Sequence, residues 1–488
     1  MRNMSTNAIT MQRDGTILQA MELLNIKGGG TCFIQEKNKV IGVITDGDIR
    51  RGIIAETPLS ELVTVVMNSD FFSLPVNSSL DVIQKSLIEY SCIPILCSDG
   101  NLVDIATLER YHQIPLVQPM LDGNELEYVT DCIKTGWISS QGSYVTRFEE
   151  TFGKYVGNNN TLAVSNGTVA LHLALETLGV GPGDEVIVPD LTFAAVINAV
   201  LYVGATPVIV DIDKFSLALD PDKIPASLSK KTLAIIAVHL YGHPAAMEEI
   251  MKIANDNDLL VIEDCAEALG SYYKGVHVGS YGDAAIFSFF GNKTITTGEG
   301  GMLQFKKAEH KERAKVLRDH GMSPNRRYWH NEMGFNYRLT NMQAAVGVAQ
   351  LERVEYFVRQ KRWIADRYAH YLEGVSYITL PNDCPDYINS YWLYTVILSS
   401  GFASKRDNIL ETLKGHGVEA RPLFFPIHQM PPYKAFSDGS DYPISTSIST
   451  RGISLPSSVN TTEEEIEYVC DRLVLAIHSD TNAKASTD

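Results

Sequence analysis

Three stretches of the chain place reactive residue types at the ends of strands and helices. The run Leu259-Leu-Val-Ile-Glu263-Asp264 is apolar until its last two residues, so Asp264 falls at the carboxyl end of a buried strand. Ligands of open α/β sheets bind at that edge. A second apolar strand, 284–289, carries Ser288 and precedes Asn292-Lys293 and the glycine-rich turn Thr297-Gly-Glu-Gly-Gly301. Upstream, Ser165-Asn166-Gly167-Thr168 stands between a strand and a helix. A helix start with unclaimed backbone N–H groups is an anion site suited to a phosphate. Alone, Lys293 reads as a surface lysine in a loop. The ordered combination says more, because a pyridoxal 5'-phosphate enzyme needs these three things. They are an acid for the pyridine nitrogen, an amine for a Schiff base and a seat for the phosphate.

Such residues need a scaffold that brings distant segments to one edge. From residue 113 to 355, β-branched strands alternate with helical patterns (TLAVSN, VALHLALETLG, DEVIVP, TPVIVDI, LAIIAVHLYG, LLVIED). That alternation predicts a large, mainly parallel sheet covered on both faces. A long helical stretch around 339–374 leads into a smaller α/β domain over 356–480, and the polar residues 481–488 read as a disordered tail. The uncharged run 191–210 is interrupted by Gly204 and Pro207, so it reads as a buried helix, turn and strand rather than a membrane span.

Composition narrows the function classes. The chain has 488 residues, 41 Lys plus Arg against 58 Asp plus Glu, and a formal charge of −17. Non-specific nucleic-acid binding needs a basic surface and is excluded. Any anionic substrate must be held by a few local donors. The seven cysteines are dispersed without a CxxC pair, which reads as reduced thiols with no metal site. The first residues lack an apolar core of signal-peptide length, so a cytoplasmic location is expected.

Residues 1–112 have a different texture: two units of helix followed by an apolar strand pair, a weak repeat of roughly 60 residues. Gly42-Val-Ile-Thr45-Asp-Gly-Asp48 in the first unit resembles the motif of CBS modules, small tandem domains that often sense adenosine-containing ligands. The resemblance implies that Thr45 and Asp48 reach a nucleotide's phosphate and ribose. In the second unit Asp104 stands at the glycine position, Thr107 is retained and Arg110 replaces the aspartate. A nucleotide-sensing module and a ligand-free dimerisation scaffold both remain open at this point.

The stretches EDCAEALGSYYKG, FSFFGNKTITTGEGGM and SPNRRYWHNEMGFNYRLTNMQAAVGVAQLE are long and specific. Through them residues 114–475 resemble the DegT-like sugar aminotransferases of fold-type I, and within that family its perosamine-forming branch. The resemblance implies Lys293 as the Schiff-base lysine and proton shuttle, and Asp264 as partner of the pyridine nitrogen. It further implies Phe193 against the ring face, Gly167, Thr168 and Ser288 on the phosphate, and Asn336 reaching the other subunit's cofactor in an obligate homodimer. Many members carry glutamine where Glu267 stands. A carboxyl there donates to the cofactor only when protonated, which burial favours. Trp137 and Ser139 resemble the loop lining the sugar-nucleotide pocket. Arg326, Arg327 and Arg421 are candidates for the diphosphate, or else solvated surface residues. His239 and His428 are candidate pocket histidines. The implied reaction moves an amino group from L-glutamate to C4 of a nucleotide-linked 4-keto-6-deoxy sugar. Amination at C3 or of another keto sugar is the alternative, and a sugar dehydratase of the same fold, which has histidine in place of the lysine, is a further one.

Overall fold

The computed structural model describes residues 10–27, 30–87, 89–107, 111, 113–381, 384–437, 439 and 441–482. Its contacts divide the chain into two compact units, Met1–Gln113 and Ile114–Asp488.

The larger unit is built on a seven-stranded sheet in the order Thr161–Val164, Gly301–Phe305, Ala284–Ser288, Leu260–Asp264, Thr232–Val238, Glu185–Pro189, Thr206–Val210. Only Gly301–Phe305 runs against the others, pairing antiparallel with both its neighbours. The other neighbouring strands pair in parallel. Successive residues of one strand serve opposite faces. Leu162, Val164, Ile286, Leu303 and Phe305 enter the core beneath helices Gly167–Leu178 and Ala195–Tyr202. Ala163, Ala285, Phe287 and Met302 enter another, where they meet Phe148 and Phe152 of helix Ser143–Val156. This two-sided burial explains why these strands read as nearly continuous apolar runs.

The uncharged run resolves as expected into helix Ala195–Tyr202, Gly204 at φ +79° and strand Thr206–Val210. Among the described residues no helix is long and apolar enough to cross a membrane. The long helical stretch is two helices, Asn341–Leu351 and Val354–Leu372. The second is shared: Val354, Phe357 and Val358 pack into the core around Phe148, whereas Ile364, Tyr368 and Leu372 pack with the four-stranded C-terminal sheet. The final helix, Glu463–Asn482, takes in 481 and 482; the rest of the tail lies outside the described residues.

The smaller unit contains two three-stranded sheets of one design. Thr10–Gln12 pairs parallel with Thr31–Glu36, which pairs antiparallel with Lys39–Thr45. Leu74–Pro75 pairs parallel with Cys92–Leu96, which pairs antiparallel with Leu102–Thr107. Each antiparallel ladder carries a register shift, at Ile34/Gln35 and at Ile95/Leu96. In that register Gly42 faces Ile34 as Asp104 faces Ile95.

Candidate functional site

Four parallel strands of the large sheet end around one cavity of about 640 Å³. Its lining includes Asn166, Gly167 and Thr168 after the first, His239 after the second, Asp264 and Glu267 at the third, and Ser288, Asn292 and Lys293 at the fourth. Sequence-distant residues converge here because strands running the same way deliver their carboxyl ends to one edge.

Helix Gly167–Leu178 begins at Asn166, whose side chain accepts from the Val169 N–H. This N-cap leaves the earlier amides, of Gly167 and Thr168, ahead of the first intrahelical acceptor. Backbone packs tightly behind them. A Cβ on Gly167 would lie 3.0 Å from Ser288 Cβ, and one on Gly301 would lie 2.7 Å from the Asn166 carbonyl carbon and oxygen. Thr192 Oγ1 and Asn292 Oδ1, on residues of the cavity wall, are buried without a hydrogen-bond partner. A tight backbone cradle with forward N–H groups, and polar atoms left unsatisfied beside it, suits a phosphorylated polar cofactor.

In the same lining, Lys293 Nζ lies 3.2 Å from Glu267 Oε1 and 3.8 Å from the centre of the Trp392 ring. Glu267 Oε2 accepts from the Tyr241 N–H at 2.9 Å. Both carboxylate oxygens therefore act as acceptors, in place of the expected donor. Asp264 is buried, and its Oδ1 accepts from the Ala266 N–H at 2.9 Å. Burial pushes its carboxyl pKa up to about 6, with Glu267 adding to the rise and the Ala266 N–H, Lys293 and His239 opposing it. A cation placed beside this carboxyl draws it into the ionised form.

Of the other expected site residues, Phe193 and Arg421 also line the cavity. Phe193 is exposed and tilted against Phe424; Arg421 is exposed and paired with Glu419 at 2.7 Å. His239 reaches the wall with its polar atoms already engaged. Its Nδ1 accepts from the Ala245 N–H at 3.0 Å, which places the ring proton on Nε2, 3.1 Å from Glu263 Oε2. Glu263 in turn accepts from the N–H groups of Gly279, Tyr281 and Gly282. His239 is thus held in place within the wall by this chain's own groups. In the cluster His239, Glu263 and Cys265 both ring nitrogens of the histidine are engaged within the chain.

His428 is a correction. It is absent from the cavity lining; its N–H and Nδ1 are bound to Asp190, at 2.9 and 2.7 Å, and its ring stacks on Tyr442. Trp137, Ser139, Arg326, Arg327 and Asn336 lie outside the lining too, on the exposed surface. The carbonyls of Trp137 and Ser139 accept from Asn341, Arg326 stands over Trp329, Arg327 over Tyr328, and Asn336 Oδ1 accepts from Arg338. Conversely, Tyr241, Trp392 and Phe424 line the cavity without having been singled out. The segment NSYWLYTV carries only the signal of a buried strand entry, and nothing in its spacing marks Trp392.

In the N-terminal unit, Thr45 and Asp48 are brought together, but they satisfy each other. Thr45 caps helix Asp46–Ile54, donating through Oγ1 to Asp48 Oδ2 at 2.7 Å and accepting from the Asp48 N–H. Asp48 also pairs with Arg51. In the second half Asp104 accepts from Tyr111 Oη at 2.9 Å, and Arg110 lies outside the described residues.

Comparison with known proteins agrees with this geometry. Residues 119–474 match the model of the DegT/DnrJ/EryC1/StrS aminotransferase family, and residues 2–55 match the CBS domain. The chain is 45% identical to GDP-perosamine synthase of Caulobacter vibrioides over 73% of its length and 96% of the relative's. It is 44% identical to the enzyme of the same name in Escherichia coli O157:H7, over 74% and 97%. The aminotransferase TlmJ of Streptoalloteichus hindustanus superposes with a TM-score of 0.71 at 30% identity, covering 75% of this chain and all of that one. PseC of Helicobacter pylori, an aminotransferase of pseudoaminic acid biosynthesis, gives 0.73 at 25% identity. The chain belongs to the DegT/DnrJ/EryC1/StrS aminotransferase family: it is a pyridoxal-phosphate-dependent aminotransferase that also carries a CBS domain.

Proposed function

We propose that the enzyme transfers an amino group from L-glutamate to C4 of a nucleotide-linked 4-keto-6-deoxy sugar, with guanine as the base, in the making of a surface polysaccharide or glycoconjugate. The observation that carries the reading is the position of Lys293: it lines the same cavity as a phosphate-type helix start and a buried acid at the end of a strand. The relatives named above supply the choice of sugar.

In this reading the amides of Gly167 and Thr168 and the Ser288 hydroxyl hold the phosphate, Asp264 faces the pyridine nitrogen and Phe193 covers the ring. The bound cofactor supplies an electron sink that lets one amino group be handed from donor to acceptor. Lys293 Nζ takes and returns the proton at the reacting carbon, and Glu267 Oε1, 3.2 Å away, stabilises the amine when it is charged. Asp264, with its carboxyl pKa raised to about 6, ionises readily once a cationic nitrogen lies beside it. Phe193, Phe424, Tyr241 and Trp392 form an aromatic wall that keeps water from the amine.

The exposed set Trp137, Ser139, Arg326, Arg327 and Asn336 acquires a role if two chains associate, with Arg326, Arg327 and Arg421 meeting the diphosphate and Asn336 serving the partner's cofactor. Seven free thiols support a cytoplasmic location. For the N-terminal unit we favour a regulatory nucleotide that breaks the Thr45–Asp48 bond and takes up both side chains.

The test is incubation of the wild type and Lys293→Ala with glutamate and a panel of GDP-, dTDP- and UDP-linked keto sugars, with products read by mass spectrometry and NMR. The wild type is expected to yield a 4-amino sugar from a GDP-linked substrate. The variant should lose both that product and borohydride trapping of the cofactor. Full activity in Lys293→Ala would overturn the assignment, and a 3-amino product would correct the position.

A further inference from the structure

Trp392, described above only as part of the aromatic wall, also makes several contacts to Lys293 and its loop. Its indole face lies 3.8 Å from Lys293 Nζ. The edge of the same ring donates through Nε1 to the carbonyl oxygen of Asn292, the residue just before the lysine, at 2.6 Å. The ring runs nearly parallel to that of Tyr241, with 9° between the planes and 6.2 Å between centroids. The carbonyl of Trp392 accepts from Lys361 Nζ at 3.0 Å; that buried amine also donates to the Ser457 carbonyl at 2.7 Å. One residue of the C-terminal portion therefore touches both the reactive amine and the backbone that carries it.

The lysine's own surroundings suggest what this contact does. During turnover a lysine that binds its cofactor covalently must spend part of the cycle detached, as a free amine. A free ammonium on a side chain as little exposed as that of Lys293 needs compensation. Glu267 offers charge at 3.2 Å, and the indole offers a negative π-face at 3.8 Å. The remaining titratable groups around it are Asp264 on the neighbouring strand, Tyr241, Glu299 and Arg421 on the cavity wall, and His239, which is bound to Glu263.

We infer that Trp392 is a positioning residue for Lys293: its ring holds the detached amine beside Glu267, and its Nε1–H fixes the loop that returns the amine to the reacting centre. The inference rests on the assignment of Lys293 proposed above. It separates two functions that distinct substitutions remove. Trp392→Phe keeps a weaker aromatic face and loses the tie to Asn292; Trp392→Leu loses both.

The test measures the amine itself. Cofactor-free wild type, Trp392→Phe and Trp392→Leu are labelled with cyanate across a pH series, and the peptide carrying Lys293 is quantified by mass spectrometry. Loss of the face should weaken the amine's hold on its proton by about threefold to thirtyfold, moving half-maximal labelling to lower pH in Trp392→Leu. Trp392→Phe should lie between it and the wild type. In the cofactor-loaded enzymes kcat should fall in both variants, while KM for glutamate changes less than kcat. Coincident labelling curves in wild type and Trp392→Leu would overturn the inference. If Trp392→Leu does not fold, coincidence of the wild type and Trp392→Phe curves, together with unchanged kcat, overturns it equally. A wild type that aminates none of the keto sugars while the labelling curves still separate would instead remove the reading of the reaction and leave the role of Trp392 standing.

Discussion

At Asp264, burial and charge oppose each other. In the cofactor-free chain its carboxyl pKa is raised from 3.8 to about 6, so between those values the folded state binds more protons than the unfolded. Stability of the cofactor-free protein therefore falls as pH rises through that window, and the deficit persists above it. A rise of this size corresponds to about 3 kcal/mol. Asp264→Asn should accordingly stabilise the cofactor-free protein at pH 7.5 by up to that amount, leave it little changed at pH 4, and abolish amino transfer. Urea unfolding at the two pH values checks this; an equal change at both would contradict it. Asp264 and Lys293 were legible in the sequence because each follows an apolar strand, one as its polar end and the other before a glycine-rich turn. Trp392 was not, since its value comes from facing an amine 99 positions away (392 − 293). His428 illustrates the reverse: in sequence it is a histidine near aromatic residues, and only its two bonds to buried Asp190 show that it ties segments together.

On the scale of elements, the phosphate seat depends on how closely a strand passes a helix start. Gly301 opens the one strand of the sheet that runs against the rest, and its missing side chain leaves room for the Asn166 carbonyl. Gly301→Ala would force the strand and the helix start apart, at a cost of about 1–3 kcal/mol. It should weaken binding of pyridoxal phosphate more than that of pyridoxal, as measured by equilibrium dialysis, because only the former uses the helix start. Equal weakening of both would mean that the damage lies elsewhere. The parallel strands were readable as apolar runs bounded by turns, since both their faces are buried. The peptide geometry at Tyr241 was not. Its φ of +54° is unusual for a bulky residue and directs its N–H to Glu267, a conformation that depends on neighbours in space.

For the molecule as a whole, the change of texture near residue 112 corresponds to the division into Met1–Gln113 and Ile114–Asp488. Composition could mark that boundary because each unit has its own hydrophobic clusters, around Ile17 and Ile93 in one and around the large sheet in the other. The sequence also showed Asp104 at the glycine position of the second half, but not its bond to Tyr111. The two ladders carry their register shifts at the same step, but the halves differ beside it: Gly42, packed against Met67, faces Ile34, whereas Asp104, a carboxylate bound to Tyr111, faces Ile95. An acid repels a phosphate. If a nucleotide regulates this enzyme, stoichiometry follows from that replacement. Calorimetry with adenine and guanine nucleotides should saturate at one ligand per chain, and two per chain would show that the second half also binds.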